Sequence, residues 1–300
     1  MKRFYLIIFL TLLVLSSSFA IVQQDFSKVE IKATHVAGNI YMLEGRGGNI
    51  GISVGEDGIL MVDDQFAPLA DKIKAAFKKL NSGQLQFIIN THWHSDHTGG
   101  NEVFGPEATI IAQTNVRKRL MAEQRRGERV TPPKPQKAWP VITFDASLSI
   151  HFNGEEIKAI HYPHGHTDGD AVIYFTGSNV VHMGDNLFSG RFPFVDLASG
   201  GDVKGLIKNV EAIISDLPED VKIIPGHGPL STLDDLKTYH RMLKETTGLI
   251  SQSMESGKDL DDIKKEGLPD EWQSWGWQFI SAERWIDIVY NSLSKNVVKK

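Results

Sequence analysis

The stretch Thr91-His92-Trp93-His94-Ser95-Asp96-His97 packs three imidazoles and a carboxylate into one short segment. In an extended chain His92 and His94 point to the same side, so both can reach one ion. A turn into helix would swing Asp96 and His97 toward a neighbouring position, and Gly99-Gly100 permits the close backbone approach this needs. Imidazole and carboxylate together suit zinc, at roughly 2.0–2.2 Å per ligand bond. Three remote elements offer further ligands, each beside a glycine where a predicted strand ends: Gly165-His166-Thr167-Asp168, Gly184-Asp185-Asn186 and Pro225-Gly226-His227-Gly228. Loops at strand ends are where a rigid sheet presents functional groups on one rim. A lone histidine at 166 or 227, or an aspartate at 185, would ordinarily be structural. Packing gives no reason to place three histidines ahead of a Gly-Gly pair, so the remote elements are read with the cluster. His35, His151, His182 and His240 lack such a context and are assigned structural or surface duty. His161 and His164 are placed at the rim of the site.

The elements that must hold these residues follow from periodicity. Short strands and hairpins run from Val29 to Asp64, broken by the Glu56-Asp57-Gly58 turn. Residues 67–80 put Leu69, Ile73, Ala76, Phe77 and Leu80 on one helical face, and 85–90 read as a strand leading into the cluster. A helix is expected at 113–125, then a long proline-rich loop at 126–140 with Trp139 as its apolar contact. A second run of strands follows, then a helix at 201–217, a strand and glycine turn at 221–228, and helical sequence from Thr232 onward. This order suggests two similar halves around one sandwich. In the C-terminal segment, the spacing of Phe279, Ile280, Trp285, Ile286 and Val289 suits a helix packed on that sandwich. A dimer contact or an apolar substrate wall is the alternative use of its aromatics.

The composition narrows the function classes. The chain has 300 residues, 11 histidines and no cysteine, which excludes a disulfide scaffold, a thiolate zinc site, an iron–sulfur cluster and a cysteine nucleophile. A formal net charge of −5 argues against nucleic acid as a partner. Residues 1–20 carry Lys2 and Arg3, an apolar stretch and a Ser18-Phe19-Ala20 ending, the pattern of a secretory signal peptide. The apolar stretch is shorter than the ~20 residues a spanning helix needs. The expectation is therefore a periplasmic or secreted protein comprising residues 21–300, with no membrane contact once the leader is removed.

His-X-His-X-Asp-His, a later Gly-His-Thr, a Gly-Asp and a final Gly-His, in that order over about residues 29–230, resemble the metallo-β-lactamase-fold hydrolase superfamily. The resemblance implies an α/β fold, a four-layer αββα sandwich with C-terminal helices appended from about residue 232. It implies two metal ions, zinc with iron or manganese as alternatives. The first would take His92, His94 and His166, the second Asp96, His97 and His227, with Asp185 bridging and Asp63 supporting from behind. Two cations ~3.5–4 Å apart share a water and lower its pKa from 15.7 toward ~7, so the expected reaction is metal-assisted hydrolysis of a small molecule. Asp96 and Asp185 are the expected catalytic carboxylates. Candidate bonds are ester, thioester, lactone, phosphodiester and amide-type, with β-lactam cleavage as a weak side activity. Cysteine-containing β-lactamases have a thiolate where this chain has Asp185, and a lysine where it has Phe188. Trp139, His164, Phe188 and Arg191 are the expected substrate contacts. The alternative is an iron-dependent oxygenase of the same fold, similar to a sulfur dioxygenase. Fold alone does not choose the chemistry.

Overall fold

Alternation of side chains along the strands builds the layers. The structure, a computed structural model, describes residues 25–297 except 127 and 128. One sheet runs, in spatial order, β1 (Lys32–Ala37), β2 (Ile40–Glu44), β3 (Ile50–Gly55), β4 (Gly58–Val62), β5 (Leu85–Asn90), β6 (Thr109–Gln113) and, past the small hairpin β7 (Gln124–Arg126) and β8 (Arg129–Thr131), the edge strand β9 (Ile142–Phe144). The other runs β10 (Ser147–Phe152), β11 (Glu155–His161), β12 (Ala171–Phe175), β13 (Val180–His182) and β14 (Lys222–Ile224). In β4, Leu60 and Val62 face the second sheet, where they meet Ile157, Ile173 and Ile224. Their neighbours Ile59 and Met61 face outward, as a period of two requires.

Helix α1 (Ala70–Leu80) covers that outward face with Ile73 and Phe77. Two single-turn helices, α2 (Ser95–Thr98) and α3 (Asn101–Phe104), follow the histidine cluster, and α4 (Thr114–Met121) follows β6. On the far side α5 (Val203–Asp216), α6 (Leu233–Glu255), α7 (Leu260–Glu266), α8 (Asp270–Gln273) and α9 (Ala282–Val297) shield the second sheet. Val210, Leu236, Leu243 and Val289 pack there on Val181 and Ile223. Helix, sheet, sheet and helix give four layers, with two halves that each pass from antiparallel to parallel pairing. Thr232 and Asp235 form a capping box that starts α6. Among the described residues no helix is long and apolar enough to cross a membrane.

Three expectations change. The helix expected at 113–125 stops at Met121, and Gln124–Arg126 turn into β7. The proline-rich segment is not one open loop, because β8 pairs back on β7 and Gln136–Ala138 form a helical turn. Phe279 is not core: α9 begins three residues later, and the ring is 45% exposed. Residues 1–20, the expected leader, lie outside the described residues.

Candidate metal centre

All the candidate ligands emerge at one rim of the sandwich. Asp63 follows β4, His92–His97 follow β5, His166 lies between β11 and β12, Asp185 follows β13 and His227 follows β14. The rims of the two sheets are tied together there. Asn49 N–H donates to the Gly226 carbonyl at 2.7 Å, its side-chain amide to Pro225 and Gly228, and Ala171 N–H to the Thr91 carbonyl at 2.8 Å. The tight local packing needs specific glycines. A Cβ on Gly48 would fall on the imidazole of His97, and Gly184, at φ +50, holds the backbone beside Thr91.

The side chains form two groups, His92, His94, His166 and Asp185 in one, Asp96, His97 and His227 in the other. Within each, the ligand atoms lie within 4.8 Å of one another. The Asp185 carboxylate spans them. Its Oδ2 lies 3.3 Å from His166 Nε2 and 3.7 Å from His92 Nε2, while its Oδ1 lies 3.1 Å from His97 Nε2 and 3.4 Å from His227 Nε2.

Each imidazole of the first group is oriented by its other nitrogen. His166 Nδ1 donates to the Phe194 carbonyl at 2.6 Å, and His94 Nε2 faces Asp196 at 2.9 Å. His92 Nδ1 faces Thr91 Oγ1 at 3.1 Å, whose own proton goes to Asp63. With those protons placed, three ring lone pairs converge: His94 Nδ1 sits 2.8 Å from His166 Nε2 and 3.1 Å from His92 Nε2. Neutral rings have no proton for those contacts, so they repel unless a cation lies between them. Asp185 Oδ1 is buried without a hydrogen bond among the described residues. The residues present fit a divalent metal held by nitrogen and oxygen ligands.

Behind the second group, Asp63 accepts from His97 Nδ1 at 2.7 Å and from the backbone N–H and hydroxyl of Thr91. It is fully buried and adopts a left-handed backbone at φ 62. Such strain persists only where surroundings over-determine it, and here three hydrogen bonds do so.

Protonation separates the two groups in the metal-free protein. Burial holds His92, His94 and His166 below the ordinary imidazole range. Burial pushes His97 and His227 the same way, but the facing aspartates outweigh it, lifting His97 well up and His227 to about 9. Asp185 and Asp96 are buried against ionisation yet held well below the carboxylate range by these histidines. An ion entering the first group meets neutral rings, whereas one entering the second must displace protons. Zinc titrations of chelator-stripped protein at about pH 6.5, 7.5 and 8.5 should show a first equivalent nearly indifferent to pH and a second that tightens roughly tenfold per unit for each proton released. The share of that gain due to His227 should fade above about pH 9. A second equivalent that did not respond to pH would contradict the assignment.

The expected substrate contacts separate. Phe188 is buried and stacks on His227 at 4.9 Å, and Arg191 lies over Trp277, whose ring is 6.3 Å from that of His227. Trp139 instead packs with Val116 and Leu120, donates to the Lys134 carbonyl and lies under Arg117. It pins its own segment, and no described contact brings it to the ligands. His164 turns its Nδ1 to the Gly200 carbonyl on the exposed side of the His166 loop. Sequence reasoning missed Asp196 and Phe194, which belong to no histidine motif, whereas Trp277 is one of the C-terminal aromatics for which an apolar substrate wall was the alternative use. His182, expected to be structural, is buried with Nε2 3.1 Å from the Asn49 carbonyl.

Comparison with known proteins agrees with this geometry. The profile of the metallo-beta-lactamase superfamily matches residues 33–245, and the chain belongs to that family. A hydroxyacylglutathione hydrolase from a Polaromonas species is 30% identical over 162 residues, 53% of this chain and 55% of the relative. The alpha subunit of a 2,4-dinitroanisole O-demethylase from a Nocardioides species is 24% identical over 216 residues, 70% and 62% of the two chains. The chain spans about half the length of the first curated relatives it matches. A metallo-beta-lactamase from Pontibacter korlensis shares the fold at a TM-score of 0.59 and 16% identity, over 72% of this chain and 99% of its own.

Proposed function

We propose that this protein is a metal-dependent hydrolase of small molecules, holding two divalent ions, with zinc the metal best suited to its donors. The carrying observation is the Asp185 carboxylate, whose two oxygens face different ligand groups. Similarity to hydroxyacylglutathione hydrolases supports hydrolysis as the reaction class. Two such ions, when bound, would supply Lewis acidity and lower the pKa of a bound water from 15.7 toward ~7.

The chain's own groups do the rest. Asp96 is the most exposed carboxylate of the cluster at 29%, and its Oδ2 lies 3.4 Å from His227 Nε2. One oxygen serves the second ligand group, and the other is free to orient the attacking water and take its proton. Phe188 closes the flank of His227 against bulk water. The scissile bond is of the ester, thioester, lactone, phosphodiester or amide type. The Asp185 and Phe188 positions argue against dedicated β-lactam cleavage.

The test is metal analysis followed by a panel of esters, thioesters, lactones, phosphodiesters and β-lactams. Two zinc ions per chain and turnover of at least one panel member are expected. Asp96→Ala should lower that turnover by about 10²–10⁴-fold, the usual range for a positioned acid or base. One iron per chain, or no turnover by fully zinc-loaded protein, would count against hydrolysis.

Residues 1–20 we read as an export signal, placing the enzyme in the periplasm or outside the cell. Mass analysis of the protein from a secreting host should then find an N-terminus at Ile21; retention of Met1 would oppose this reading.

A further inference from the structure

The family profile ends at residue 245, yet part of the metal rim comes from beyond it. Trp277, in the turn before α9, has its ring 6.3 Å from His227 and 6.2 Å from Phe188. Its indole N–H donates to the Phe192 carbonyl at 2.9 Å, which fixes the ring. Phe279 continues the surface, edge-on at 5.6 Å from Trp277 and 5.7 Å from Phe194. Phe194 in turn lies 5.9 Å from the rings of both His94 and His166. These aromatics therefore run alongside both groups of ligands. Phe279, unlike the buried Ile280 and Trp285 near it, adds nothing to the core, being 45% exposed. The hydrophobic free energy of such a ring is recovered only when something covers it.

Charge says what covers it. Arg191 lies over Trp277 at 5.4 Å, and Arg284 over Phe279 at 4.4 Å and Phe194 at 5.9 Å. Arg284 is held in place by donating to the Phe279 carbonyl. Arg119 is paired with Asp168 and Arg241 with Glu271, but neither Arg191 nor Arg284 has a carboxylate among the described ion pairs. Two guanidiniums with no carboxylate partner among the described residues, lying over an aromatic wall, complement an anion attached to an apolar body.

We infer that the Trp277–Phe279–Phe194 wall binds the part of the substrate away from the scissile bond, and that this part is an aromatic-sized apolar group bearing a negative charge. The inference deepens the hydrolase reading, but the binding it describes does not require turnover.

The test uses zinc-loaded protein and two fluorescent probes, the anionic 8-anilinonaphthalene-1-sulfonate and the uncharged N-phenyl-1-naphthylamine. The sulfonate should bind with one-to-one saturation and quench tryptophan emission, and bind more tightly than the uncharged amine. Trp277→Ala and Phe279→Ala should each weaken it about tenfold, the equivalent of one lost aromatic contact. Arg284→Gln should remove the preference for the sulfonate while leaving the amine unaffected. Phe279 is exposed, so its variant reports on the wall even if Trp277→Ala disturbs the local fold. Probe binding unchanged in both aromatic variants, or equal affinity of the wild type for the two probes, would overturn the inference. Absence of turnover across the substrate panel with this binding pattern intact would sink the hydrolase reading alone.

Discussion

Asp185→Asn should abolish turnover and lower the metal content from two ions per chain toward one. The substitution preserves shape and removes charge. Asp185 is buried among His92, His166, His97 and His227, and its two oxygens face different ligand groups. Without its charge, two cations would sit close together with only Asp96 as a counter-ion among the ligands, and their repulsion would expel the second. Turnover should fall by about 10³-fold or more, the scale on which removal of preorganised electrostatic groups acts. Elemental analysis after desalting, together with steady-state rates on whichever panel member is cleaved, checks both parts. A variant retaining two tightly held ions and near-normal turnover would show that Asp185 does not bridge.

Trp285→Ala should be the most destabilising single change in the C-terminal layer, at about 3–5 kcal/mol. The indole is fully buried, stacks on Phe192 at 5.9 Å and 11°, and donates to Thr246 Oγ1 at 2.9 Å. Removal leaves a cavity between α6, α9 and the segment after Asp185. Against a total stability of about 5–15 kcal/mol, such a loss is large. It should also reach the metal rim. Phe192 N–H donates to the Trp275 carbonyl and the Phe192 carbonyl accepts from Trp277, so the chain that Trp285 supports also carries the aromatic wall. Denaturant unfolding of metal-free protein measures the first effect. Trp285→Phe, which keeps the stack, should recover most of it. A loss below about 1 kcal/mol would mean that the C-terminal helices pack less firmly than this burial implies.

The metal ligands were legible because their chemistry is dense and local. Three histidines within six positions after an apolar strand have no packing explanation, and once they imply a metal, His166, Asp185 and His227 are drawn in as glycine-flanked strand ends. The sandwich was legible from the order of strand and helix segments and the helical spacing of α1, whereas β4 is a continuous apolar run buried on both faces. The hairpin β7–β8 was not. Its two strands are three residues each, rich in charge, and form a separate two-stranded sheet, so nothing periodic marks them. Trp139 was misread for a related reason: proximity in sequence to a proline-rich loop says nothing about which face of that loop meets the ligands.

The sequence by itself determined which residues can bind metal, because donor type and local spacing are properties of the chain. It also suggested two similar halves, because the order of strand and helix segments repeats along the chain, while the four layers followed from the resemblance of its motifs to a known family. Only the tertiary structure could show that Asp196 orients His94 from 102 positions further along the chain, or that Trp277 and Phe279 return from the C-terminal segment to flank the same histidines. Such contacts depend on where chain folding brings distant segments together. An isolated aspartate or tryptophan carries no local signal of the neighbour it will meet.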